Sequence, residues 1–383
     1  MSEVEFSPLN DGEVAEAVED GEALCLSGGG YRAMLFHLGT LWRLHESGLL
    51  PRLDRISSVS GGSITAAVLA IAWDRIDFAR PPAASGFADH VVGPVRALAS
   101  RTLDDDAIVG GVLLPGTVGD RIAAAYSRHL FGEATLQDLP DRPRFVINAT
   151  NVQSGALWRF SKPYMGDWKV GRVFSPRVPL ALAVAASSAF PPVLSPIDLQ
   201  LDPGSFKPRS GSGLQREPFT SEVVLTDGGV YDNMGLETAW KRYSTVYVSD
   251  AGALLQSEPE PRRDWARHAY RVLDVVDSQV RSLRKRAVMA AFEAVPGTAG
   301  ARRGAYWGIG TAHGRYAGRS GLSCDAEATA ALASVPTRLK RLDDLLQRRL
   351  VNWGYAACDA SLRTNADPGL AQPAGFPYSE AGV

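Results

Sequence analysis

Cysteine is scarce in this chain: three residues in 383, at Cys25, Cys324 and Cys358. An odd number at such wide spacing is not a disulfide framework and favours a reducing compartment. Cys25, inside an apolar segment, reads as a small core residue. Histidine is nearly as sparse, with six: His37, His45, His90, His129, His268 and His313. None follows a strand in the manner of a catalytic triad. No H-x-x-x-H zinc pattern and no P-loop occur, so no metal or other cofactor is expected. An excess of either charge is also missing, with 40 Lys and Arg against 42 Asp and Glu. A near-neutral chain has no bulk attraction for nucleic acid. Long apolar runs are absent too; none reaches the roughly 20 residues that span a bilayer. Residues 1–20 are acidic and polar, without the basic and apolar regions of a secretory signal. A cytoplasmic location is therefore expected, with peripheral contact at the inner face of a membrane.

What is present is a 45% hydrophobic chain, enough for one large α/β domain or a domain with extensions. Strand-like runs alternate with helix-like ones. Glu22–Ser27, Arg55–Val59, Phe145–Ala149, Val223–Asp227 and Thr245–Asp250 read as strands. This alternation predicts a mostly parallel central sheet with helices on both faces.

The most informative segment is Ser58-Val59-Ser60-Gly61-Gly62. It follows a strand and precedes an apolar helix from Ser63 to Trp73. A serine between small neighbours at such a junction can be held on a tight turn with its oxygen exposed, the logic of the nucleophile elbow. Upstream, Gly28-Gly29-Gly30-Tyr31-Arg32-Ala33 leads from a strand into a helix. Unobstructed N–H groups at a helix N-terminus can hold a phosphate or a developing oxyanion. The same stretch, Gly28-x-Gly30-x-x-Ala33 with Asp54 about 20 residues on, also fits a dinucleotide fingerprint. A nucleotide-binding module therefore stands as an alternative. Downstream, a strand ends in Asp227-Gly228-Gly229. An aspartate there is either a turn former or the base that an acyl-transfer serine requires.

Taken together, these three segments resemble the patatin-like phospholipase family, in order and in rough spacing, over about residues 20–255. Ala185-Ala186-Ser187-Ser188-Ala189-Phe190-Pro191-Pro192 is similar to the stretch that separates the family's nucleophile from its aspartate. The resemblance implies a three-layer α/β fold and a Ser-Asp dyad. Ser60 would be the nucleophile and Asp227 the general base. The N–H groups of Gly28, Gly29 and Gly30 would form the oxyanion hole. Arg32, Gly62, Gly228 and Gly229 would support it. Ser58 stands where the elbow has its first glycine, and Ala33 where the loop has its last. The substrates implied are phospholipids or lysophospholipids, with a soluble carboxylesterase on the same fold as the alternative. Some patatin-like relatives are nucleotide-activated defence effectors, a role that no residue here decides.

Around that domain the sequence predicts an N-terminal extension (1–20), an insertion at about 80–130, a C-terminal helical extension (256–365) and a loose tail (366–383). Two stretches are candidates for touching lipid: Ala107 to Val118, and a helix carrying Arg281, Arg284 and Lys285.

Overall fold

The computed structural model describes residues 18–103, 117–298, 300–316 and 321–383. Residues 1–17, and all but the last two residues of the Ala107 to Val118 stretch, lie outside the described residues.

Among the described residues, ten strands form one mixed sheet. Its centre is parallel, in the order β10 (Arg303–Gly308), β9 (Tyr243–Asp250), β1 (Glu19–Leu26), β2 (Arg55–Val59), β3 (Arg144–Asn151). Beyond β3 the chain folds into an antiparallel meander of β4 (Ala156–Phe160), β5 (Tyr164–Asp167) and β6 (Gly171–Phe174). Finally β7 (Ile197–Gln200) and β8 (Glu222–Asp227) pair antiparallel to each other. The mostly parallel α/β core expected from the sequence is thus the centre of a wider mixed sheet. The meander escaped the sequence reading because its strands are four or five residues long and are separated by short turns.

Both faces of the parallel strands are buried, which is why they read as continuous apolar runs. In β1, Leu24 and Leu26 face the larger core, whereas Ala23 and Cys25 face a smaller one with Val246, Val248 and Val288. The larger core is filled by α1 (Gly30–Glu46), α2 (Gly61–Ala72) and the helix Asp344–Asn365. The Asp344–Asn365 helix lies so close to α1 that a methyl group on Gly39 would come 1.9 Å from the Val351 carbonyl oxygen. One on Gly354 would come 1.8 Å from that of Phe36. A buried ion pair, Arg43 Nε to Asp359 Oδ1 at 2.8 Å, joins the same two helices.

Two expectations change here. The region 256–365 is more than a helical extension, because β10 belongs to the central sheet. The tail after Asn365 is tied down, not loose. Asn352 Nδ2 donates to the Tyr378 carbonyl at 2.8 Å, and the Tyr378 ring packs on Trp42 and Arg96. The described part of the insertion buries Val91, Val95, Leu98, Ile122 and Tyr126 in the main core, so it is packed structure.

Candidate active site

The register of β3 explains how two residues 167 positions apart come together. On one edge β3 pairs with β2 up to Val59 opposite Asn148. Its other edge is taken by β4, from Ile147 to Asn151. β8 must therefore join the β2 edge, and it does so antiparallel, with Asp227 opposite Ala149. Two strands thus meet end to end along one edge of β3. The residue after β2 is Ser60, and the last residue of β8 is Asp227.

Ser60 has φ 52° and ψ −121°, a backbone conformation that a side chain rarely adopts and that costs of order 1–3 kcal/mol. The surroundings hold it there. Its N–H donates to Ser187 Oγ at 3.0 Å, and its carbonyl accepts from Ser63 N at 2.8 Å. Ser187 Oγ donates in turn to the Asn148 carbonyl at 2.6 Å. Behind the turn there is no room: a methyl group on Gly61 would sit 2.2 Å from the Gly30 carbonyl oxygen. Gly62 packs in the same way against the carbonyls of Leu26 and Ser27.

Asp227 is 2% exposed. Its Oδ1 accepts from Gly229 N at 2.7 Å, while Oδ2 is buried without a hydrogen-bond partner. Burial pushes its pKa up to about 7. The Gly229 N–H and the Ser60 hydroxyl pull it back, and the charge of Asp277 adds to the rise. Ser60 therefore lies beside the carboxyl. Gly228 lies against the Asn148 carbonyl, where a methyl group would come within 2.3 Å. The end of β8 is locked to the segment Ala185–Pro192: Asp227 N donates to Ala189 O at 3.0 Å and Gly228 N to Ser187 O at 3.2 Å.

The glycine loop divides into two parts. Gly28 N donates to the Asn233 carbonyl at 3.0 Å, so this N–H is committed and the candidate oxyanion donors narrow to Gly29 and Gly30. Gly28 instead provides clearance: a methyl group there would meet Asn233 Oδ1 at 2.3 Å and Ser60 Cβ at 3.1 Å. Gly29 and Gly30 have φ +143° and +60° and lead into α1. Arg32 has no hydrogen bond to Ser60 or Asp227. It is buried, and its Nε and Nη2 donate to the Ala251 carbonyl at 3.1 and 2.9 Å. Its other donors reach Val335 O and Thr337 Oγ1. It clamps the loop's helix to the end of β9, and burial lowers its pKa to about 10.

Two residues that the sequence reading passed over are central here. Ser187 joins the Ser60 turn to the strand that ends in Asp227. Asn233 bridges the Gly28 loop and Gly229. Both lie within or beside quoted motifs, but only the fold shows what their side chains touch. None of the six histidines has a hydrogen bond to Ser60 or Asp227. His37 is buried between Ser249 and the Ser27 carbonyl, and burial lowers its pKa to about 4.

The dinucleotide alternative fails on position. Asp54 N donates to the Glu22 carbonyl at 2.8 Å, and Asp54 precedes β2. It therefore lies at the opposite end of the sheet from the glycine loop, whereas a ribose-binding acid must lie at the same end. The cations expected to touch lipid also turn inward. Arg281 pairs with Asp250 at 3.2 Å, Arg284 with Asp232 at 3.6 Å, and Lys285 covers the Tyr306 ring. Among the described residues no helix is long and apolar enough to cross a membrane.

A sequence model of the family described as Patatin-like phospholipase matches residues 24–240. No curated protein sequence matches. Among solved structures, human GIVD cytosolic phospholipase A2 superposes with a TM-score of 0.53 at 13% identity, over 89% of this chain. The same human protein in complex with methyl gamma-linolenyl fluorophosphonate gives 0.50 at 14% identity, again over 89% of this chain. The chain spans 61% and 57% of those two chains. At such identities the likeness is one of fold.

Proposed function

The chain belongs to the patatin-like phospholipase family, and from that premise we propose that it is a serine acyl hydrolase working through Ser60 and Asp227 on phospholipid or lysophospholipid esters. One observation carries this reading: the strained turn at Ser60 and Asp227, whose Oδ2 is buried without a hydrogen-bond partner, stand where β2 and β8 abut on β3.

In this mechanism Ser60 Oγ bonds to the ester carbonyl carbon as its proton passes to Asp227 Oδ2. The carbonyl oxygen gains negative charge and is held by the N–H groups of Gly29 and Gly30 at the start of α1. The C–O bond to the alcohol breaks, and Asp227 returns the proton to the leaving oxygen. This leaves an acyl group on Ser60. Water then gives a proton to Asp227 and attacks, and the fatty acid departs as Ser60 regains its proton. An ordinary aspartate, with a pKa near 3.9, is a weak base at neutral pH. Burial makes Asp227 a stronger one. A lipid substrate is favoured by exposed apolar side chains on the segments flanking the dyad: Phe190, Val193 and Val230.

Incubating the protein with phospholipid vesicles and with short-chain soluble esters, with products read by mass spectrometry, tests the reading. Release of fatty acid from vesicles supports it. Turnover of the soluble esters alone makes it a carboxylesterase, and no turnover of either refutes the assignment.

The base must be a carboxylate to accept the proton. Activity is thus full above the raised pKa and falls below it. The expected kcat/KM profile has an acidic limb with its midpoint at about 7, and pH 6 gives roughly a tenfold loss from the plateau. A flat profile between pH 5.5 and 8 contradicts a buried carboxyl base.

Gly29→Ala tests the donors. At φ +143° a methyl group would meet Arg32 Nη2 at 2.7 Å and the Ala251 carbonyl at 2.8 Å, so the loop must shift. Loss of one oxyanion donor costs about 3 kcal/mol. The expected result is a kcat lower on the order of a hundredfold, with KM within a few-fold of the parent. A raised KM at unchanged kcat would mean that the loop binds substrate without stabilising the transition state.

A further inference from the structure

The helix Trp265–Glu293 lies on the protein the wrong way round. It is 29 residues long, about 43 Å at 1.5 Å per residue. Its inward stripe is polar at Arg281 and Lys285, and apolar only toward the C-terminus, where Val288, Met289 and Phe292 pack on the smaller core. Arg281 Nη1 donates to the Ala253 carbonyl at 2.6 Å, and its Nη2 to Asp250 at 3.2 Å. Lys285 lies over the Tyr306 ring, and only Val288 is fully buried. The outward stripe is apolar. Leu273, Val276, Val280 and Leu283 are 61, 52, 40 and 57% exposed. They follow one another at steps of three, four and three. Ala266 and Ala269 continue the pattern upstream, and Ala287 and Ala290 downstream, all exposed. A surface helix normally buries its apolar stripe and wets its polar one. Steps of three and four kept over 25 residues are the spacing of a coiled-coil seam, and Val272 and Val275 are exposed beside it.

We propose that this seam pairs with the same helix of a second copy of the chain, antiparallel, about a two-fold axis level with Ser278. The pattern is self-complementary in that direction. Leu273 faces Leu283 of the second copy, and Val276 faces Val280. Ala269 and Ala266 face Ala287 and Ala290. The layer order Ala-Ala-Leu-Val-Val-Leu-Ala-Ala reads the same both ways. A two-fold axis across the helix demands this, because residue i meets residue j while j meets i. A parallel pair makes no such demand. An anionic bilayer fits less well, because it needs cations beside the apolar stripe. Arg281, Arg284 and Lys285 have their charged ends held by the body. The flanks of the central seam carry Val272, Asp277 and Gln279, with Arg284 held by Asp232 and Arg286 on the exposed side. The proposal does not depend on the hydrolase reading.

Light scattering on the full chain after size exclusion tests the pairing. The expected mass is twice the 41.0 kDa of one chain. Leu283→Glu, at an exposed position, should halve it with an unchanged circular dichroism spectrum. Cysteine scanning tests the direction. Gln279 lies beside the axis, so Gln279→Cys should form a disulfide-linked dimer under mild oxidation. Leu273→Cys should not, because its two copies would lie about 15 Å apart along the helix. The parent, whose Cys25 and Cys358 are buried, is the control. A single-chain mass for the parent overturns the proposal. Cross-linking of Leu273→Cys in place of Gln279→Cys overturns the antiparallel register. A monomeric parent that floats with phosphatidylserine vesicles, and ceases to do so in Leu283→Glu, hands the seam to a membrane instead.

Discussion

Ser60→Ala will abolish ester hydrolysis while leaving the fold intact. The change removes one oxygen from a side chain that is 6% exposed. The contacts that hold the turn, Ser60 N to Ser187 Oγ and Ser63 N to the Ser60 carbonyl, are made by backbone atoms of residue 60 and survive. Without Oγ no acyl-enzyme can form, and the remaining rate is that of water in the same site. The expected loss is at least on the order of a thousandfold, in line with other hydrolases stripped of their nucleophile. A fluorophosphonate probe should label Ser60 in the parent and nothing in the variant. Labelling of another serine, or activity surviving in Ser60→Ala, removes Ser60 from the mechanism.

Asp227→Asn should be nearly as damaging. The amide oxygen can still accept from Gly229 N, so the loop keeps its shape, but no proton can be taken from Ser60. Loss of a general base costs about a hundred- to ten-thousand-fold. The same variant carries a stability signature. In the parent, the folded pKa of about 7 lies above the ordinary aspartate value. Between those two values the folded state holds a proton that the unfolded state has released. The parent therefore loses stability as pH rises from about 4 to about 7. The amide does not titrate, so Asp227→Asn should melt higher than the parent at pH 8, with that gain gone by about pH 3.5. If Asp227→Asn keeps its activity and a histidine variant loses it, the base is a histidine after all.

Much of this site was legible because its pieces are local. A serine between small residues after a strand, a glycine run opening a helix, and an aspartate ending a strand each declare a backbone geometry within five or six residues. Side-chain partners are not declared in this way. Arg32 follows the glycine loop and reads as part of the chemistry, yet its guanidinium is spent on Ala251, Val335 and Thr337, 219 to 305 residues away. The cations of the Trp265–Glu293 helix read as a surface for lipid, yet their partners lie on β9, β10 and the short helix Gly229–Asp232. Charge along a helix says which residues share a face, but it does not say which way the face turns.

By itself the sequence determined the parallel core, the elbow, the glycine loop and the likeness to one family, because strand period, small-residue turns and ordered motifs are properties of short segments. Only the tertiary structure decided that Ser60 and Asp227 meet. That depends on β4 occupying one edge of β3, which leaves β8 no place but the edge where β2 ends. Tertiary structure likewise committed the Gly28 N–H to the distant carbonyl of Asn233, and put Asp54 at the far end of the sheet. It also brought β10 and the C-terminal tail into the body of the domain. Each of these outcomes is a matter of which distant segment reaches an edge or a buried donor first, and such competition leaves no period in the chain.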